Sequence, residues 1–344
     1  MIDLRSDSSS TPTDLMRQAM ANAKIGNDAF QEDPTVNALE RKAATLLGKE
    51  EGLFVASGTM GNLVPVLSAA KPGETVLAGR DSHFVRFEAG APARLGGFTL
   101  IAFPDEDGKP RIDEIRDFME LPKSLVPRVF VLENTHNSSG GMILSLEEMK
   151  AYAGLAKSYG LHLHLDGARI FNAAEALQVP ASEIAQYADS VAFCLTKCLS
   201  APVGSILVGK HEFIAQARNM RFMLGGQMRQ AGVIAAAGLV ALETMLPQIA
   251  VDHQNARTLA KGLSEIDGIR VDLERVRSNI VLFDVSPLVD HAQQLEDLLE
   301  RHGVYASVFS SRDIRYITYR DIDADTIEQV LSITAQVAQE IGSS

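Results

Sequence analysis

The chain has 344 residues, 46% of them hydrophobic, and a formal net charge of −12. That composition suits one large α/β unit or two domains with an ample core, and it argues against nucleic acid or an anionic membrane as a partner. Cys194 and Cys198 are spaced as neither a CxxC nor a zinc pattern, which predicts reduced thiols in a cytoplasmic protein. Met1 to Arg5 leads straight into SDSSST without a signal-peptide pattern, and no apolar run reaches the ~18 residues a membrane helix needs.

Residues 1–12 read as a polar, extended N-terminal segment. Thr11, Pro12 and Asp14 form a helix start, with Thr11 as the expected N-cap. Asp33-Pro34 opens a second helix with Val36, Leu39, Ala43 and Leu46 on its apolar stripe and Gly48 as its stop. Leu53 to Ala56 reads as a strand, and SGTMGN (residues 57–62) as the turn into a helix. Glycines at such a switch let backbone N–H groups approach an anion, and the helix N-terminus favours phosphate. Most such turns are simple caps. No GxGxxG occurs, so a lone phosphate fits better here than a dinucleotide.

Thr75 to Ala78 is a short strand that delivers Asp81, Ser82 and His83 at its C-terminal end, where open α/β sheets carry ligands. Phe98 to Phe103 and Arg111 to Phe118 continue the alternation. Val129 to Leu132 is a buried strand ending in Glu133-Asn134-Thr135-His136-Asn137, a polar cluster typical of a site and equally of a solvated loop. Leu146 to Tyr159 is a helix stopped by Gly160. In LHLHLDGAR (161–169), alternation puts His162, His164 and Asp166 on one face. A buried acid at a strand end needs a cationic partner: Arg169 is the plain candidate, a protonated ring nitrogen of a cofactor the sharper one. A metal site of the HxH type is a rival, although no second ligand cluster relates to it.

Val191 to Leu195 and Gly204 to Gly209 read as buried strands with Lys197 between them. A strand-end lysine usually points into water. A desolvated one is an amine nucleophile able to form a Schiff base. His211 to about Leu246 is helical, carries Arg218, Arg221 and Arg229, and breaks at Leu224 to Gln227. Beyond it, helices over 250–266, 291–302 and 326–341 alternate with strands over 269–272, 279–285, 304–309 and 314–319. Arg312, Arg315 and Arg320 stand at the last strand, either on the surface or as a fork for a carboxylate.

Together these parts match what a pyridoxal phosphate enzyme needs: an imine-forming Lys197, an Asp166 that keeps a ring nitrogen protonated, a phosphate cradle at Gly58 and Thr59, His83 over the ring, and a carboxylate-binding arginine. The motifs IDLRSD, GNDAFQEDPTVNALE, FVASGTMGN, DSHFVRFEAG, VLENTHNSSGG, LHLDGARIFNAA, LTKCLSAPVGS and MLGGQMRQAG run in order along the chain. In them it resembles the low-specificity threonine aldolases, in the β-eliminating lyase group of fold-type-I pyridoxal phosphate enzymes. The resemblance implies a large domain (13–246) with a mostly parallel seven-stranded sheet sandwiched by helices, and a small C-terminal α/β domain (247–344). It implies Lys197 as the cofactor lysine, Asp166 at the pyridine nitrogen, His83 stacked on the ring, and Gly58 and Thr59 at the phosphate. Arg169 and Arg315 would hold the substrate carboxylate with Ser6 nearby. Arg229 would reach the cofactor from a neighbouring subunit of a homotetramer, a dimer of dimers. The implied reaction is aldol cleavage of a β-hydroxy-α-amino acid to glycine and an aldehyde.

The chain departs from that pattern in four places. Ser8 and Ser10 stand where threonines are common, Cys198 and Ser200 replace glycines beside Lys197, and Phe222 replaces a lysine. The loop from Leu121 to Pro127 offers Lys123 where the aldolases carry a histidine active in the hydroxyl chemistry. Other expectations therefore stay open: β-elimination, racemisation or transamination with the same cofactor; a non-catalytic cofactor-binding protein; or a metal hydrolase using His162, His164 and Asp166.

Overall fold

The computed structural model describes residues 1–121 and 126–342; the Lys123 region of the 121–127 loop lies outside them. Strand β1 (Ile2–Asp3) opens the chain. The central sheet follows: β2 (Glu51–Val55), β3 (Thr75–Gly79), β4 (Thr99–Phe103), β5 (Pro127–Glu133), β6 (His162–Asp166), β7 (Ser190–Cys194) and β8 (Ser205–Gly209). Its seven strands lie in the order β2-β8-β7-β6-β5-β3-β4. Only β8 runs antiparallel to its neighbours. Val129, Phe130, Val131 and Leu132 of β5 are all buried, the unbroken apolar run expected of a strand covered on both faces.

The covering helices begin where capping chemistry permits. Helix α1 spans Asp14–Ala21, α2 Pro34–Leu46 and α3 Gly58–Ala69. For α2, the Asp33 carboxylate accepts the N–H groups of Thr35 and Val36 at 3.0 Å each, and Pro34 takes the first turn, where no donor is missed. Val36, Leu39 and Ala43 are its fully buried face. Gly48, two residues past its end, takes φ +63°, a left-handed conformation that glycine adopts without strain.

A second hydrophobic cluster, from Leu4 and Ala256 to Val337, fills the C-terminal region. It lies under β9 (Ile280–Asp284), β11 (Ser307–Val308) and β12 (Asp313–Ile317), an antiparallel sheet in the order β11-β12-β9. Strand β10 (Val304–Tyr305) pairs instead with β1, in parallel. The N-terminus is thereby tied to the C-terminal sheet layer before it crosses to the large sheet.

Three expectations about elements are corrected. The first helix is capped by Thr13, whose hydroxyl accepts the Met16 N–H, while the Thr11 N–H donates to Asp321. Residues 269–272 form no strand: a single bridge joins Arg270 to Asp284, the last residue of β9. The expected strand over 304–309 is two short strands in different sheets, parted at Ala306.

Candidate active site

Strands β5, β6 and β7 end side by side at Glu133, Asp166 and Cys194. A cleft of about 400 Å³ opens beyond them, and Ser6, His83, Asn137, Arg169, Lys197 and Arg315 line it. Ligands of open α/β sheets sit at such strand ends because the loops there are free to vary above a rigid scaffold. Lys197, His83, Ser6, Arg169 and Arg315, five residues picked from the sequence, therefore meet in one cavity.

The Lys197 backbone is held firmly. Its carbonyl accepts the Ser200 N–H at 2.8 Å and the Ser10 hydroxyl at 3.0 Å. Ser200 sits at φ +58° with its hydroxyl buried and unpaired, so a position suited to glycine is occupied at some conformational cost. Cys198 is buried and its thiol donates to the Asn172 side-chain oxygen at 3.0 Å. Burial pushes that thiol well above its ordinary pKa, which makes it inert.

Asp166 does not pair with Arg169. Its Oδ2 accepts a 2.7 Å hydrogen bond from Asn62 Nδ2, and its Oδ1 accepts the Ala168 N–H at 3.1 Å. Asn62 lies one helical turn beyond Gly58 on α3, so the helix that offers Gly58 and Thr59 at its N-terminus also steadies Asp166. A Cβ at Gly58 would meet the Cys194 sulfur at 2.9 Å, a contact only glycine avoids. Ser57 caps the Met60 N–H, leaving those of Gly58 and Thr59 in the orphan first turn.

His83 is fixed from two directions. Its backbone N–H donates to Glu133 Oε2 at 2.6 Å, and its Nδ1 lies 3.1 Å from Glu88 Oε1. The other oxygen of Glu133 accepts the Asn137 N–H at 2.8 Å. Burial pushes the Glu133 carboxyl upward. One buried acid thus aligns the histidine and the asparagine that meets both arginines.

Arg169 is the largest departure from expectation. Its Nε and Nη2 grip Asp7 at 2.7 and 2.8 Å, with Arg169 4% and Asp7 0% exposed. Burial pushes the Asp7 carboxyl up, and the Arg169 guanidinium more than reverses this, holding it below the usual carboxylate range. Only Nη1 of Arg169 turns to Asn137 Oδ1, at 3.4 Å, which leaves the fork unavailable as a free carboxylate clamp. Arg315 is the open one. It donates to Asn137 Oδ1 at 3.1 Å and to the Arg5 carbonyl at 3.3 Å, its Nε is buried without a partner, and it has no ion pair among the described residues. Burial, with the nearby charge of Arg169, pushes it down to about 10. A half-buried cation lacking an anion is primed for one.

The other candidates fall elsewhere. Arg229 is exposed and does not line this chain's cleft. Arg218 pairs with Glu40 and Glu51, Arg221 with Asp28, Arg312 with Asp284 and Arg320 with Asp321. His162 and His164 share the Ser190 hydroxyl at 2.8 and 2.9 Å, and burial pushes His164 down to about 3, so the pair is neutral and packed rather than aimed at a metal. Glu133 and Asn137 belong to the polar cluster that reads equally as a site or a loop, and Asp7, Asn62 and Glu88 are site neighbours that the sequence reading missed. For Asn62 the local signal is its spacing of four from Gly58; Asp7 and Glu88 depend on distant segments meeting.

Fold and cleft together define an α/β enzyme of the lysine-centred type. A family model described as beta-eliminating lyase matches residues 3–286, and the chain belongs to that family, whose members are lyases. It is 41% identical to low-specificity L-threonine aldolase 1 of Arabidopsis thaliana, covering 97% of this chain and 96% of that one. It is 37% identical to the low specificity L-threonine aldolase of Escherichia coli K12, covering 96% and 97%. A threonine aldolase structure from Leishmania major superposes with TM-score 0.84 at 20% identity, over 98% of this chain and all of that one, a likeness of fold. Pyridoxal phosphate, the cofactor implied by the resemblance, fits the residues present. The orphan N–H groups at the start of α3, the amine of Lys197 in the cleft and the buried carboxylate of Asp166 are the donors and acceptor it requires.

Proposed function

We propose that this pyridoxal-phosphate-dependent lyase cleaves β-hydroxy-α-amino acids of the threonine type to glycine and an aldehyde. The observation that carries this reading is the unpaired Arg315 in one cleft with Lys197 and His83: an anion site, an amine and a proton carrier within reach of a single small amino acid. The naming of near-full-length relatives as threonine aldolases supports the choice of reaction.

The residues divide the work. Lys197 would hold the cofactor through its amine. Asp166, steadied by Asn62, would keep the ring nitrogen protonated. Gly58 and Thr59 would receive the phosphate on the α3 N-terminus, and His83 would cover the ring. Bound pyridoxal phosphate supplies the electron sink that accepts the pair released as Cα–Cβ breaks. Arg315, with Asn137 bridging to Arg169, would orient the substrate carboxylate, and Ser6 lines the same wall. Exposed Phe30, Phe222 and Met223 (71%, 63% and 62%) support a homotetramer in which Arg229 enters a neighbour's site, and two free buried cysteines suit the cytoplasm. Sedimentation of the purified protein tests the assembly; a monomer would remove the role given to Arg229.

The deciding experiment incubates the cofactor-loaded protein with L-threonine, L-allo-threonine and L-phenylserine and measures glycine, aldehyde, 2-oxo acid and ammonia. Glycine with aldehyde is expected. A 2-oxo acid with ammonia and no glycine would reassign the reaction to β-elimination. Replacing Arg315 by alanine should raise KM roughly 10- to 100-fold, the worth of a charge-assisted hydrogen-bond pair. Cofactor content should stay unchanged. Equal loss of cofactor would place Arg315 on the cofactor instead.

A further inference from the structure

The hydroxyl chemistry proposed above needs a proton acceptor, and the buried group behind His83 has no assigned task. Glu88 is 2% exposed, and its Oε2 is buried without a partner. Its Oε1 receives two contacts: Asn62 Nδ2 at 2.7 Å and His83 Nδ1 at 3.1 Å.

The protons in this cluster can be placed by elimination. Asn62 Nδ2 lies 2.7 Å from both Glu88 Oε1 and Asp166 Oδ2, so the amide nitrogen, with its two hydrogens, faces the two carboxylates. Its oxygen faces His164 Nε2 at 3.2 Å, which makes that nitrogen the protonated one. The other nitrogen, Nδ1, is then free to accept the Ser190 hydroxyl at 2.9 Å. Ionised, the Glu88 carboxylate has acceptors only, so Oε1 accepts from both of its neighbours. Against that carboxylate, the contact with His83 Nδ1 is an N–H donated by the ring.

Resting on the aldol-cleavage reading, we propose that Glu88 is a positioning residue that holds His83 with Nδ1 protonated, leaving Nε2 as the base that takes the substrate's β-hydroxyl proton. The step balances within the cleft. The O–H proton moves to Nε2, an oxygen lone pair closes the aldehyde C=O as Cα–Cβ breaks, and the released pair passes to the cofactor. A proton returned to Cα completes glycine. The geometry follows the carboxylate–imidazole logic of hydrolytic triads, in which the acid fixes tautomer and orientation and stabilises the imidazolium that forms. It also provides a base within the described residues that does not depend on the 121–127 loop.

The groups facing His83 are Glu88 on its own segment, Asp166 on β6, Lys197 beyond β7, and Glu133 on β5 at its backbone. Burial pulls the His83 pKa down, and the Glu88 hydrogen bond with the Asp166 charge outweighs burial and Lys197, so the net direction is upward. Activity requires the neutral ring, so kcat/KM should rise with pH through a midpoint above the ordinary ~6.5 of histidine.

The test has two independent arms. Solid-state NMR of holoenzyme labelled with 15N-histidine, with His83 assigned by its loss in H83Q, reads the tautomer directly. A protonated Nδ1 and a bare Nε2 are expected above the midpoint, and a proton on Nε2 overturns the proposal whether or not the Glu88 variant folds. In the second arm, Glu88→Gln should lower kcat roughly 10- to 100-fold, the scale of losing a partner that orients a functional histidine and below the ~10²–10⁴ of the base itself, with KM within about threefold. Cofactor content should hold and the pH midpoint should fall. Unchanged kcat and midpoint, or a kcat loss matched by cofactor loss, would reduce Glu88 to a structural part. Failure of the aldol reading would show separately, as absence of glycine from the wild-type protein while the tautomer stands.

Discussion

Lys197→Ala is expected to remove the visible absorbance band of the cofactor-loaded protein and to lower turnover by on the order of 10⁴-fold or more, the scale seen when a covalent nucleophile is deleted. Nothing else described in the cleft can take its place. The Lys197 carbonyl is pinned by Ser10 and Ser200, so the side chain starts from a fixed point at the cleft, and the other cations lining the cavity are guanidiniums, which do not form imines. Absorption spectra of wild type and variant at equal cofactor loading decide the matter. A band that survives in the variant would place the cofactor on another group and undo the whole assignment of the site.

Asp7→Ala should cost about 3–5 kcal/mol of folding stability, because deleting one member of a buried ion pair strands the other. Arg169, 4% exposed, would keep Asn137 as a distant neutral acceptor and lose both short bonds to carboxylate. Asn279, which donates to Asp7 Oδ2 at 3.2 Å, links the same pair to the C-terminal region, so the damage should reach both hydrophobic clusters. Denaturant unfolding of the two proteins measures the difference. The pH dependence has a fixed sign. A carboxylate held below its unfolded value stabilises fully above the unfolded pKa of ~3.9 and loses that contribution as pH falls through the folded value. The gap between wild type and Asp7→Ala should therefore be widest near neutrality and narrow below pH ~4. A gap that persists unchanged into acid would mean that packing rather than charge accounts for the effect. Freed from Asp7, Arg169 should also compete for the substrate carboxylate, so KM should change in Asp7→Ala while the Lys197 absorbance remains.

Much of the site was legible because strand ends are legible. LHLHLD alternates and stops at Asp166, VAFCL is too apolar to be anything but buried, and the lysine after one strand and SGT before a helix, ambiguous one by one, gain meaning from the ordered motifs around them. The roles that failed to transfer cleanly are those of arginines. Arg169 and Arg315 look alike in a sequence, since each follows or sits on a strand beside polar residues. Which of them is free depends on Asp7, more than 160 positions away, and on β1 pairing with β10 to bring Asp7 there. The element errors share that origin. Thr11 and Thr13 are equally good caps by type, and only the Asp321 carboxylate, delivered from the far end of the chain, draws Thr11 away.

The sequence by itself determined the alternation of strands and helices, the candidates Lys197 and Asp166, and the family whose reaction such parts serve. The elements follow from period and capping, and the roles and the reaction from the ordered motifs that resemble the threonine aldolases. Only the tertiary structure decided which charges are paired and which stay open. It locked Arg169 to Asp7, left Arg315 without an anion, and set Asn62 between Asp166 and Glu88 so that His83 has one free nitrogen. The physical reason is that pairing in a low-dielectric interior is settled by which groups the fold brings within about 3 Å, and the strands that do so lie far apart along the chain.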